Sequence, residues 1–162
     1  MDKEFKEVYI RCSGKLYTFI LWLTQNRTAS EEILQDVFVN AWKSGSMPGE
    51  EEQQLPWFYR VARNATVDYF RKSNRFSNLR NAYGLEQRNA PVKAQAQEEQ
   101  FSWNWVDELA YTEKTILYLN LRDGYTYKEI ARMINLSESN VRVKAFRALK
   151  KIRENFNKKK AE

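Results

Sequence analysis

The chain has 162 residues with 27 Lys plus Arg against 21 Asp plus Glu, a net charge of +6, 43% hydrophobic and 14% aromatic residues, which is too apolar for a disordered chain. The absence of histidine and the single cysteine, Cys12, exclude an intrachain disulfide, histidine-based acid–base or metal chemistry, and Ser-His or Cys-His nucleophile pairs. No glycine-rich phosphate loop is present, the longest apolar run (Phe19 to Leu23) is far short of the ~20 residues of a membrane span, and the charged start predicts no secretory signal.

In chain order, apolar residues at 5, 8, 9, 12, 16, 19, 20 and 23 follow a 3.6 period and predict one helix over about 5–22. Asn26, Arg27 and Thr28 read as a turn. Ser30 is the expected N-cap of a second helix running to Trp42, with Ile33, Leu34, Val37, Phe38 and Ala41 inward. Residues 44–49, with two glycines and Pro48, form a loop by turn chemistry. Pro56 is expected to open a third helix over 57–72. Phe58, Val61, Ala62, Ala65 and Tyr69 would line its inner face, with Arg60, Arg63, Asn64, Val67 and Arg71 on the other side.

Residues 76–100 are rich in Asn, Gln, Ala and Glu and read as a linker with a short helical stretch at 94–100. A second unit is expected to resume at Trp103, Trp105 and Val106, with a helix over about 112–122 ending at Asp123-Gly124. No strand pattern emerges. The expected fold is all-α: two small helical domains, residues 1–75 and 106–162, joined by a linker over 76–105.

Charge is uneven along this plan. Residues 57–75 carry net +4 and residues 137–162 net +6, whereas residues 1–56 carry net −3. Two basic footprints imply a polyanion gripped at two places.

The sharpest local signal lies between Thr126 and Lys150. Ile130 and Ile134 point inward from a short helix, and Ala131 is small where a second helix must cross. Asn135 occupies a position that asks for left-handed backbone, and Ser137 caps the next helix. Leu136 is expected buried in the turn. Val141, Ala145, Phe146 and Leu149 form the expected inner stripe of that next helix. This is the pattern of a helix-turn-helix. The outward face carries Ser139, Asn140, Arg142, Val143, Lys144, Arg147 and Lys150, a set suited to base edges at its N-terminal end and to phosphates along its flanks.

Two further stretches make the reading specific. Ala29-Ser30-Glu31-Glu32-Ile33-Leu34-Gln35-Asp36-Val37-Phe38-Val39-Asn40-Ala41-Trp42 is followed, after a polar loop, by Pro56-Trp57-Phe58-Tyr59-Arg60-Val61-Ala62-Arg63-Asn64. They resemble regions 2.2 and 2.3–2.4 of the extracytoplasmic-function (ECF) sigma factors of bacterial RNA polymerase, in the sigma-70 family. Gly124-Tyr125-Thr126-Tyr127-Lys128-Glu129-Ile130-Ala131 with Val141-Arg142-Val143-Lys144 resembles region 4.2. There are departures: Glu32 stands where Asp is usual, residues 109–114 replace the usual Leu-Pro opening of region 4.1, Asn140 replaces Thr and Lys144 replaces Arg. Lys144 lacks bidentate geometry and favours a phosphate contact.

The resemblance implies a promoter-specificity subunit with no catalytic residues, cofactor or metal of its own. Glu32, Gln35, Asp36 and Asn40 would dock on the β′ coiled coil of core polymerase, and the second unit would meet the β flap. Residues 43–75 would meet the minus-ten element as it melts, with Arg60, Arg63, Asn64, Arg71, Lys72 and Arg75 tracking the backbone and Tyr59 stacking on a base. Residues 137–150 would read the minus-thirty-five element as duplex. Trp57 and Phe58 read as core residues, and Asp68 as a partner for a nearby Arg. The linker would either thread the polymerase channels or act as a passive tether. An anti-sigma factor, a cytoplasmic location and no membrane insertion complete the expectation. The alternatives are a stand-alone dimeric helix-turn-helix regulator and, more distantly, a nucleic-acid-modifying enzyme, for which no suitable acidic cluster stands out.

Overall fold

The computed structural model describes residues 2–82, 106 and 108–161, and among these there are helices and no strands. Six α-helices follow in order: α1 Lys3–Thr24, α2 Arg27–Ser44, α3 Glu51–Ala82, α4 Tyr111–Leu117, α5 Tyr127–Ile134 and α6 Glu138–Ala161. A π-helical turn, Tyr118–Arg122, continues α4. The expected stretch at 94–100 and the aromatic residues at 103 and 105 lie outside the described residues.

Local chemistry sets most of the ends. Gln25 closes α1 in left-handed backbone (φ 54°) and donates its N–H to the Leu21 carbonyl at 2.8 Å. Asn26 caps α2, its Oδ1 accepting from the Ala29 N–H at 2.9 Å. The cap is therefore Asn26 and not Ser30. Ser30 is buried one turn in, its hydroxyl 2.7 Å from both Thr24 Oγ1 and the Asn26 carbonyl. An Asn two residues after the end of α1 outcompetes a later Ser because it is already in extended backbone, at φ −142°.

Helix α3 likewise starts earlier and ends later than periodicity indicates. Glu51 and Glu52 occupy its first turn, where negative charge suits the helix dipole. Pro56 sits inside the helix, not at its opening. So near the N-terminus its missing N–H removes a bond only from the Glu52 carbonyl. The backbone stays helical to Ala82, past the expected start of the linker at 76. Buried Gln54 secures the entry: its Nε2 donates to the Pro48 carbonyl at 3.1 Å, and its Oε1 accepts from Arg11.

The helix-turn-helix forms as its residues dictate. Thr126 and Glu129 cap α5 reciprocally, at 2.8 and 3.2 Å. Asn135 adopts φ 56°, ψ 49°, and the Leu136 N–H reaches back to the Ala131 carbonyl at 3.0 Å. Ser137 Oγ accepts from the Asn140 N–H at 3.1 Å, opening α6. The inner line of α6 differs from expectation. Val141, Ala145 and Ala148 are buried and Ile152 packs against them, whereas Phe146 is 70% and Leu149 39% exposed. Residues 141, 145, 148 and 152 hold one phase of the 3.6 period; Phe146 and Leu149 lie on its flank, and the small alanines bring the helices too close for a larger side chain.

The helices share one core. Leu16, Phe19 and Ile20 of α1 join Phe58 and Tyr59 of α3 with Ile116, Leu119 and Ile130 of the second unit in a continuous apolar cluster. The two expected units therefore pack directly on one another.

Candidate nucleic-acid and docking surfaces

The outer face of α6 is open. Ser139, Asn140, Arg142, Val143, Arg147 and Lys150 are exposed and Lys144 is half-buried. Residues 139, 143, 147 and 150 fall on one stripe at helical spacing, as a helix laid in a major groove requires. Arg142 turns back along its own helix, 2.7 Å from the Glu138 carboxylate and 5.7 Å over the Tyr127 ring. An exposed pair of this kind is weak enough for a phosphate to displace Glu138. Lys151, which charge alone would add to this face, is spent elsewhere: its Nζ lies 3.0 Å from the buried Glu113 carboxylate, which also accepts the Ala110 N–H at 3.1 Å. The acidic residue 38 positions upstream gave no periodic signal of that pairing.

On α3, Arg60, Asn64, Arg71, Lys72 and Arg75 are exposed and form a basic track, with Arg71 3.5 Å from Asp68 as the sequence suggested. Two members of the expected set leave that track. Tyr59 is 1% exposed and its hydroxyl donates to the Asp123 carboxylate. The Phe19, Tyr118 and Tyr125 rings surround it at 5.0, 6.5 and 6.3 Å. Burial, with the Asp123 carboxylate behind it, pushes the Tyr59 phenol far above its ordinary range. In this arrangement Tyr59 presents no face to a base. Arg63 is half-buried, its Nη2 donating to Thr112 Oγ1 at 2.6 Å while its buried Nε has no hydrogen-bond partner among the described residues. Desolvation lowers its pKa.

On α2, Glu32, Gln35, Asp36 and Asn40 are all exposed, one polar face opposite buried Ile33, Val37, Phe38 and Ala41. Glu32 also accepts the Tyr69 hydroxyl at 3.0 Å, tying this face to α3. Cys12 is buried in α1, and burial pushes its thiol up. No described helix is long and apolar enough to cross a membrane.

Comparison with known proteins bears on these surfaces. The chain matches the family described as Sigma-70 region 2 over residues 8–76 and that described as Sigma-70, region 4 over residues 105–152. It is 27% identical over 155 residues to the ECF RNA polymerase sigma factor SigM of Bacillus subtilis, covering 94% of both chains. It is 22% identical over 165 residues to SigX of the same organism, covering 96% of this chain and 85% of SigX. Among solved structures it resembles the sigma factor RpoE of Bartonella quintana, crystallised in complex with the anti-sigma factor NepR. The TM-score is 0.70 at 17% identity, over 96% of this chain and 98% of that one, a likeness of fold.

Proposed function

Because this chain belongs to the sigma-70 family, with regions 2 and 4 both present and in order, we infer that it is an ECF sigma factor. It binds core RNA polymerase and promoter DNA and directs transcription initiation. The observation that carries the reading is the occurrence of both regions in one chain, matched along almost its whole length by sigma factors of the same type.

The division of labour follows from the surfaces. Residues 1–75 act as the polymerase-docking and minus-ten unit, residues 76–105 as a linker, and residues 106–162 as the minus-thirty-five unit. Glu32, Gln35, Asp36 and Asn40 meet the β′ coiled coil, supported by their shared exposed face, and the second unit meets the β flap. Arg60, Arg63, Asn64, Arg71, Lys72 and Arg75 track the melting strand, with Tyr59 stacking on a base once it is uncovered. Ser139, Asn140 and Val143 approach base edges, and Arg142, Lys144, Arg147 and Lys150 hold phosphates on either side. The chain contributes recognition and opening and no catalytic step; polymerisation belongs to the core enzyme, so it acts in the cytoplasm. An anti-sigma factor is a further partner, in line with the complex of the RpoE neighbour.

The test is transcription from genomic promoters of the source bacterium by core polymerase with and without the purified chain. Defined start sites are expected only when the chain is present. No core binding and no start-site selection, with tight binding of a symmetric dimer to a palindrome, would establish the stand-alone regulator instead.

A further inference from the structure

We propose that the free chain rests in a closed, self-masking state in which the second unit covers part of the minus-ten face of α3, and that it must open to read a promoter. This rests on the sigma-factor reading above.

The contact is specific and spans the molecule. Tyr59 of α3 is sealed under the Asp123 carboxylate, and Arg63, one helical turn on, is held by the Thr112 hydroxyl. Two turns further, the Phe70 ring stacks on Tyr111 at 5.8 Å and 19°. From α1, the Trp22 indole N–H donates to the Lys114 carbonyl at 3.0 Å. One side of α3 is thus pinned to residues 111–123 along its length, while Arg60, Arg71, Lys72 and Arg75 stay exposed.

Two physical arguments make this a closed form and not the working one. The first is reach. Minus-ten and minus-thirty-five elements lie 25 base pairs apart by definition, about 85 Å along a duplex at about 3.4 Å per pair. The longest element here, the 32-residue α3, spans only about 48 Å at about 1.5 Å per residue. The two DNA faces, joined through direct side-chain contacts, cannot meet both elements without separating. Residues 83–105 set an upper reach of about 80 Å between Ala82 and Val106 at about 3.4 Å per residue, so chain length permits it.

The second argument is competition for Arg63. A guanidinium offers five donors in a fork suited to phosphate. Here it has one hydroxyl acceptor and a buried Nε that makes no hydrogen bond among the described residues. A nucleic-acid backbone satisfies Arg63 better than Thr112 does, yet the two cannot hold it together in this geometry. Strand binding and closure therefore exclude one another, and the apparent affinity of the free chain is its open-state affinity multiplied by the open fraction. Core polymerase, by drawing the two units onto separate sites, would raise that fraction.

The test uses the full chain and a fluorescently labelled single-stranded DNA 12-mer of mixed sequence. Tyr111→Ala with Thr112→Val removes the ring stack and the Arg63 acceptor without changing charge; Asp123→Ala removes the Tyr59 acceptor by itself. Fluorescence anisotropy should show strand binding tightened roughly threefold to tenfold in both variants, with far-UV circular dichroism unchanged. X-ray scattering of the wild-type chain needs no variant. Its radius of gyration should lie near the roughly 15 Å of a compact chain this long, and should rise in the variants. An expanded wild-type chain, or both variants binding with wild-type affinity, overturns the closed state. Retained core-dependent transcription in that case leaves the sigma reading intact. Indifference to core, with the variants still gaining strand affinity, overturns the sigma reading and leaves the closed state standing.

Discussion

Asn135 shows how much one residue can settle. Its backbone sits at φ 56°, where an L-residue with a branched side chain clashes with its own carbonyl. The angle between α5 and α6 depends on that single position. Asn135→Val is expected to lower stability by about 1–2 kcal/mol, and Asn135→Gly to change it by only a few tenths; urea titration of both variants checks this. Not every local signal is so decisive. Ser30 has the right chemistry for a cap and is buried instead, because Asn26 reaches the Ala29 N–H first. Gln54 drew no notice in the sequence, being one glutamine in an acidic stretch. Its burial and its bonds to Pro48 and Arg11 appear only when α1 and the loop before α3 come together.

Among the elements, α6 divides most clearly into faces. Val141, Ala145 and Ala148 bury one line, and the stripe through 139, 143, 147 and 150 faces out. Lys144 and Arg147 flank that stripe, so their expected role is neutralising phosphate on the duplex. Reversing both, in Lys144→Glu with Arg147→Glu, should abolish duplex recognition at moderate salt while sparing core binding. The milder pair Lys144→Gln with Arg147→Gln should weaken all sequences alike. It should also reduce the slope of log K against log salt by about 2. Binding titrations at several salt concentrations read both effects, and loss of core binding along with DNA binding would contradict the division into separate units. Phe146, placed in the core by periodicity, is instead exposed. The narrow contact built from alanines admits one line of side chains, and a helix pattern cannot tell a narrow buried stripe from a wide one.

At the scale of the whole molecule, the seam between the two units is rich in buried phenols. Tyr59, Tyr118, Tyr125 and Tyr111 all have pKa values raised chiefly by burial, with Asp123 adding to the first three, and Tyr69 is raised by burial and by Glu32. A raised folded-state pKa means the unfolded chain gives up its protons first. The stabilising contribution is complete below the ordinary phenol value of about 10 and is lost progressively as pH rises above it. Melting temperature followed from pH 8 upward should therefore hold until about pH 10 and then fall, with phenolate absorbance appearing as the chain unfolds. Phenolate signal in a still-folded chain at that pH would contradict the burial.

The same seam separates what local chemistry encodes from what packing decides. Helix order, the Asn135 turn, the Thr126–Glu129 cap, the open basic face of α6 and the polar face of α2 were all legible in the chain. Each depends on residues within about one helical turn of one another, where backbone sterics and 3.6-residue periodicity rule. The placement of Tyr59 and Arg63 was not legible. Their partners lie 64 and 49 residues away. Whether a helix turns an arginine to solvent or to a neighbour is decided by desolvation and by the acceptors that the neighbour presents, which exist only once the two halves have met.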